Sequence, residues 1–235
     1  MSKIKIAAAL LGGLLISTYG NGAQASVVYS DFNGYNGANS AVIDNFNVTT
    51  SPGGVFEQKT NGGFFGVGVS TGAVNGEIDG AGESAEYIRF DSLSGNRLLS
   101  AFTVSFLYAE PAYGDTVNES ASIIIDGLTY VLSVVDTLNA AFSFGGATVT
   151  NLSPGSAGNG GAWQVAFTNP LSFASIQFSP GPTAGTTSPQ ADYAFGSLTT
   201  AAAVPGPIVG AGLPGLMMAL GGLVILARRR RSQAV

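Results

Sequence analysis

Between residues 26 and 203 the hydrophobic positions recur with a period of two, in short runs separated by turn-forming residues. Residues 101–108 show this most plainly: Phe102, Val104, Phe106 and Tyr108 alternate with Thr103 and Ser105, which puts each set on its own face of a strand. Residues 162–168 repeat the pattern with Trp163, Val165 and Phe167 facing inward. Residues 64–70 do so with Phe65, Val67 and Val69 opposite glycines. Residues 122–125 and 128–135 flank Asp126-Gly127, a pair suited to a type I′ hairpin because both turn positions need positive φ. Residues 142–144 and 147–152 flank Gly145-Gly146 and predict a second hairpin. Further strands are expected at 27–32, 42–48, 87–90, 173–178 and 193–198. Short strands at regular spacing, with no helix between them, predict an all-β antiparallel β-sandwich of jelly-roll-like form.

Two segments break the alternation. In residues 1–25, Lys3 and Lys5 precede an apolar stretch at 6–16, and Ala23 and Ala25 are small residues where a signal peptidase reads. This predicts a secretory signal peptide cleaved after Ala25. The second segment is 204–235. Residues 208–227 carry no charge, and as a helix they would span roughly 30 Å, the thickness of a bilayer's hydrocarbon core. A single C-terminal transmembrane helix is therefore expected, starting after Pro205 and Pro207 and tolerating Pro214. Arg228, Arg229, Arg230 and Arg231 would hold its end on the cytoplasmic side. The expected organisation is a signal peptide (1–25), an exported domain (26–203) and a tail (204–235).

Charge sharpens the picture of the middle segment. Lys59, Arg89 and Arg97 are its only basic residues and all 14 acids lie within it, so its formal charge is 3 − 14 = −11 against −5 for the whole chain. Such a domain repels nucleic acid and recruits cations. With no histidine and no cysteine, Ser-His triads, thiol nucleophiles and ordinary zinc sites are excluded. A Ser-Lys arrangement would have to use Lys59, and nothing beside it in sequence suggests activation.

Carboxylates remain. Glu77, Asp79, Glu83 and Glu86 form one group, and Asp115 with Glu119 another. Paired carboxylates are what a glycosidase uses, so a carbohydrate-active hydrolase built on Glu77, Asp79, Glu83, Asp115 or Glu119 is one reading. Carboxylates in glycine-rich loops are also what calcium takes, with Glu77, Asp79 and Asp115 the better ligand candidates and calcium the one cofactor considered. Solvated loop acids are the plainer alternative. Tyr35, Tyr113 and Tyr193, in or beside loops, are candidates for stacking against sugar, whereas Trp163 belongs to the core pattern.

The tail, with Val204-Pro205-Gly206-Pro207, one apolar span and Arg228 to Arg231, resembles the PEP-CTERM sorting signal of exported bacterial proteins, with Gly206 where that family usually has glutamate. The resemblance implies recognition by an exosortase, a membrane-embedded transpeptidase that removes the tail. Residues 76–80, 113–119 and 150–154 also resemble motifs of the regions that precede such tails. The partners then expected are a signal peptidase, an exosortase, the inner membrane and an extracellular polysaccharide. The function expected is that of a non-enzymatic protein of the cell envelope or extracellular matrix, structural or adhesive, with weak carbohydrate or calcium binding. A domain permanently anchored in the inner membrane is the other alternative.

Overall fold

A computed structural model of the chain describes residues 24–70, 76–80, 86–112, 116–154, 161–182 and 192–202. In chain order the strands are β1 (Gln24–Val28), β2 (Ser40–Ile43), β3 (Phe46–Thr50), β4 (Phe56–Asn61), β5 (Phe64–Val69), β6 (Ile88–Ser92) and β7 (Arg97–Ser105). They continue with β8 (Ser120–Ile125), β9 (Leu128–Val134), β10 (Ala140–Phe142), β11 (Ala147–Asn151), β12 (Trp163–Phe173), β13 (Ser175–Pro180) and β14 (Ala194–Ala202). One sheet runs β11-β12-β7-β14-β5-β4, with β1 also on β14; the other runs β10-β9-β8-β13-β6-β3-β2. The two sheets share one core.

The period of two explains the layers. Phe102, Val104, Val165 and Leu198 on the first sheet and Phe90, Ile123, Ile176 and Phe178 on the second are fully buried. Phe90 sits at the centre of an aromatic web, its ring centroid 4.9 Å from Phe195 and 6.0 Å from both Phe46 and Phe178. Each such side chain taken out of water contributes about 1.5–3 kcal/mol. Trp163 is buried, and its indole N–H, which would otherwise lack a partner, donates to the Leu107 carbonyl at 2.9 Å.

The Asp126-Gly127 hairpin forms as predicted, with φ of 48° and 82° and Ile125 opposite Leu128. Other expectations are corrected. Residues 42–48 are not one strand: Asp44 and Asn45 take φ of 45° and 66° and turn β2 into β3. Gly145-Gly146 does not close a hairpin, because β10 pairs with β9 and β11 with β12, so the chain crosses there between sheets. The strand expected at 27–32 stops at Val28 and gives way to a 3-10 turn, Tyr29–Phe32, whose Asp31 carboxylate accepts from the Val28 N–H at 2.8 Å. β4 has no counterpart in the sequence reading.

The fold class with an added membrane helix is corrected to a two-sheet, all-β fold. Among the described residues no helix is long and apolar enough to cross a membrane. The segment 208–227, the motif Val204, Pro205, Gly206 and Pro207, Arg228 to Arg231, and Ala23 lie outside the described residues. The expected cleavage point after Ala25 falls inside β1, where Ala25 pairs with Thr200 and Ser26 with Thr199.

Candidate functional site

Two places on the first sheet gather chemistry. The first is a groove of about 320 Å³ whose lining residues carry no charge. Its wall includes Tyr29 and Phe65, whose rings stack at 4.9 Å and 10°. Phe65 is 40% exposed although Val67, two positions on and on the same face of β5, is fully buried. Thr103 and Ser197 also line the groove, opposite one another on β7 and β14, with their hydroxyl oxygens 2.8 Å apart. The register of β14 slips between Phe195 and Ser197, and the intervening Gly196 leaves open the space that a Cβ, 2.5 Å from Thr103 Oγ1, would fill.

Backbone ties hold this wall in place. The Ser105 hydroxyl donates to the Phe65 carbonyl at 2.9 Å, and Gln58 Nε2 donates to the Tyr29 carbonyl at 2.9 Å. The rings therefore stand on strands and a capped turn rather than on a free loop.

The second place is a charged cluster beside β5. Glu77 forms an isolated bridge with Val69, and the adjacent Ile78 with Tyr193 just before β14. Lys59 of β4 reaches Glu77 with its Nζ 2.7 Å from Oε1 and lies 5.3 Å from the centre of the Phe106 ring. Asp192 is the second charged group that acts on the Glu77 carboxyl. Burial pushes the Glu77 carboxyl up to about 7; the Lys59 hydrogen bond opposes that shift and the Asp192 charge reinforces it. Phe106, buried just past β7, takes φ of 66°, a conformation costly for a bulky residue and one that clusters at functional sites. Tyr193, fully buried, donates to the Ser179 carbonyl at 3.0 Å, and burial holds its phenol well above the ordinary value.

The candidate acids can now be placed. Glu77, Asp79 and Glu119 are buried and tied to the protein rather than set around a cleft. The Asp79 N–H donates to Glu86 Oε2 at 2.9 Å, and Glu119 accepts from the Tyr108 N–H. Among the described residues no three acids are grouped to hold a metal ion. Asp115, Glu83 and Tyr113 lie outside the described residues. None of the described acids lines the groove. Of the candidate aromatics, Tyr193 is in the core and Tyr35 is half-buried, its hydroxyl donating to the Val42 carbonyl at 3.3 Å. Tyr29 and Phe65 escaped the sequence reading because alternation assigned them to strand and core. Lys59 showed no neighbouring carboxylate because Glu77 reaches it only through the fold.

No protein-family model matches the chain, and none of the curated proteins is similar to it. The expectation of an exosortase-sorted, membrane-anchored envelope protein is therefore corrected: the findings carry an all-β, two-sheet domain, with neither a family match nor a membrane helix among the described residues.

Proposed function

We propose that the groove on the first sheet binds a neutral glycan without turning it over. The observation that carries this reading is the stacked Tyr29–Phe65 pair with a partly exposed face beside the Thr103–Ser197 hydroxyl pair. A pyranose presents the same two chemistries, an apolar C–H face that covers an aromatic ring and a rim of hydroxyls that both donate and accept. The volume of about 320 Å³ stands at the small end of ligand pockets, which suits one or two sugar units of a longer chain. The absence of charge from the lining, in a domain of net −11, favours a neutral polymer; an acidic one would be repelled. No acid or base in the lining is available to cut it.

Affinity electrophoresis through gels containing neutral polysaccharides, followed by calorimetry with oligosaccharides of the retarding polymer, tests the proposal. Phe65→Ala removes a ring contact of about 0.5–1.5 kcal/mol, a loss of affinity of roughly two- to tenfold. Leu93→Ala, at a position 55% exposed away from the groove, should leave binding unchanged. Equal retardation of both variants, or retardation by none of the polymers, would sink the reading.

A further inference from the structure

We infer that the glycan crosses the strands of the first sheet, from the Tyr29–Phe65 rings toward β11, where Gln164 and Thr150 form a further subsite for its next units. This rests on the glycan reading of the groove and extends it. The ground is the register. Thr150 of β11 lies opposite Gln164 of β12, Gln164 opposite Thr103 of β7, and Thr103 opposite Ser197 of β14. These side chains stand on the outer face of the sheet, because Val165, Phe102 and Leu198 beside them in sequence are fully buried. The hydroxyl pair of the groove is thus one half of a straight polar row, and Gln164 with Thr150 is the other. The lining of the groove itself reaches from Phe65 on β5 to the exposed Leu152 just past β11, so it already runs in the direction of that row.

Gln164 has hydrogen-bonding capacity to spare. The Gln58 amide is tied to the Tyr29 carbonyl and that of Gln177 to the Ser179 hydroxyl, both at 2.9 Å. Neither the Gln164 carboxamide nor the Thr150 hydroxyl is hydrogen-bonded to a described residue. A carboxamide both donates and accepts, so it can hold two neighbouring hydroxyls of one sugar ring. Charge points the same way. The row is uncharged from Thr150 to Val28 of β1, which faces Ser197, and the next row, from Thr148 of β11 to Ser26 of β1, is uncharged too. In a domain with 14 acids, that leaves five strands on which a neutral chain settles without stripping water from a charge. Adjacent strands lie about 4.8 Å apart, so Thr150 stands roughly 14 Å from Ser197, beyond a disaccharide seated at the rings and within reach of a chain of about five units.

Calorimetry on protein expressed from the full chain, with cello-, laminari- and xylo-oligosaccharides from the disaccharide to the hexasaccharide, tests the subsite separately from the groove. The wild type should bind the pentasaccharide of its preferred series more tightly than the disaccharide. Gln164→Ala and Thr150→Ala should each weaken the pentasaccharide roughly two- to tenfold, the worth of one neutral hydrogen bond. Both should leave the disaccharide unaffected, which also shows that the variants are folded. Phe65→Ala should weaken both ligands, and Gln177→Ala, on the other sheet, neither. An affinity that stops rising at the disaccharide overturns the inference and leaves the groove standing. So does a Gln164→Ala, Thr150→Ala double variant equal to wild type on the pentasaccharide while Phe65→Ala is weaker. If Phe65→Ala matches wild type on both ligands, or no series binds, the groove reading fails and the subsite falls with it.

Discussion

Gly68→Ala is a small change aimed at a crowded point. A Cβ on Gly68 would lie 2.3 Å from the backbone N and Cα of Glu77, and no rotamer relieves a clash with main chain. The bridging segment would have to lift off β5. That loses the hydrogen bonds Val69 N–H to Glu77 carbonyl at 2.9 Å and Ile78 N–H to Tyr193 carbonyl at 2.6 Å, and unseats the Lys59–Glu77 pair. At about 1 kcal/mol for each of the two bonds and about 1 more for the pair, the expected loss is about 3 kcal/mol. Gly127→Ala is the control: its φ of 82° strains a side chain but nothing lies within 4 Å of the new Cβ. Its cost is about 1–2 kcal/mol of backbone strain, offset in part by a stiffer unfolded chain. Urea unfolding of wild type and both variants, compared at a common slope, reads the difference. If Gly68→Ala costs no more than Gly127→Ala, the close approach of the Glu77 segment to β5 is wrong, and the placement of the Lys59–Glu77 pair falls with it.

The Glu77 carboxyl also makes stability depend on pH. Its folded value of about 7 lies above the ordinary 4.5, so the folded chain binds more protons, and stability falls as pH rises from about 4.5 through about 7. The loss is at most about 3 kcal/mol, with burial of the carboxyl its largest cause. Unfolding at pH 5 and pH 8 should show the wild type weaker at the higher pH and Glu77→Gln with a flatter profile; equal slopes would refute this. Phe90→Ala opens a cavity among Phe46, Phe178 and Phe195 and should cost about 3–5 kcal/mol by denaturant unfolding, far more than Leu93→Ala on the surface.

Much of the fold was legible because it is local. Alternation around Phe102 and Trp163 marks strands that are half buried, and Asp126-Gly127 turns its hairpin through its own backbone freedom. The hairpin at Asp44 and Asn45 was hidden because those residues tolerate positive φ without demanding it, so the apolar run on either side read as one strand. Gly145-Gly146 shows the opposite case: the dipeptide permits a turn, but whether the next strand pairs back or crosses over is settled by which sheet edge is free.

The residues that carry chemistry were the least legible. By itself the sequence determined that the domain is acidic, lacks histidine and cysteine, and forms strands with one apolar face. Those are properties of composition and of neighbours one or two positions apart. Only the tertiary structure decided that Phe65 stacks on Tyr29, that Thr103 meets Ser197, and that Lys59 pairs with Glu77. Each of these contacts joins segments that are not neighbours in the chain, and their meeting is set by sheet order and register, which short-range pattern does not encode.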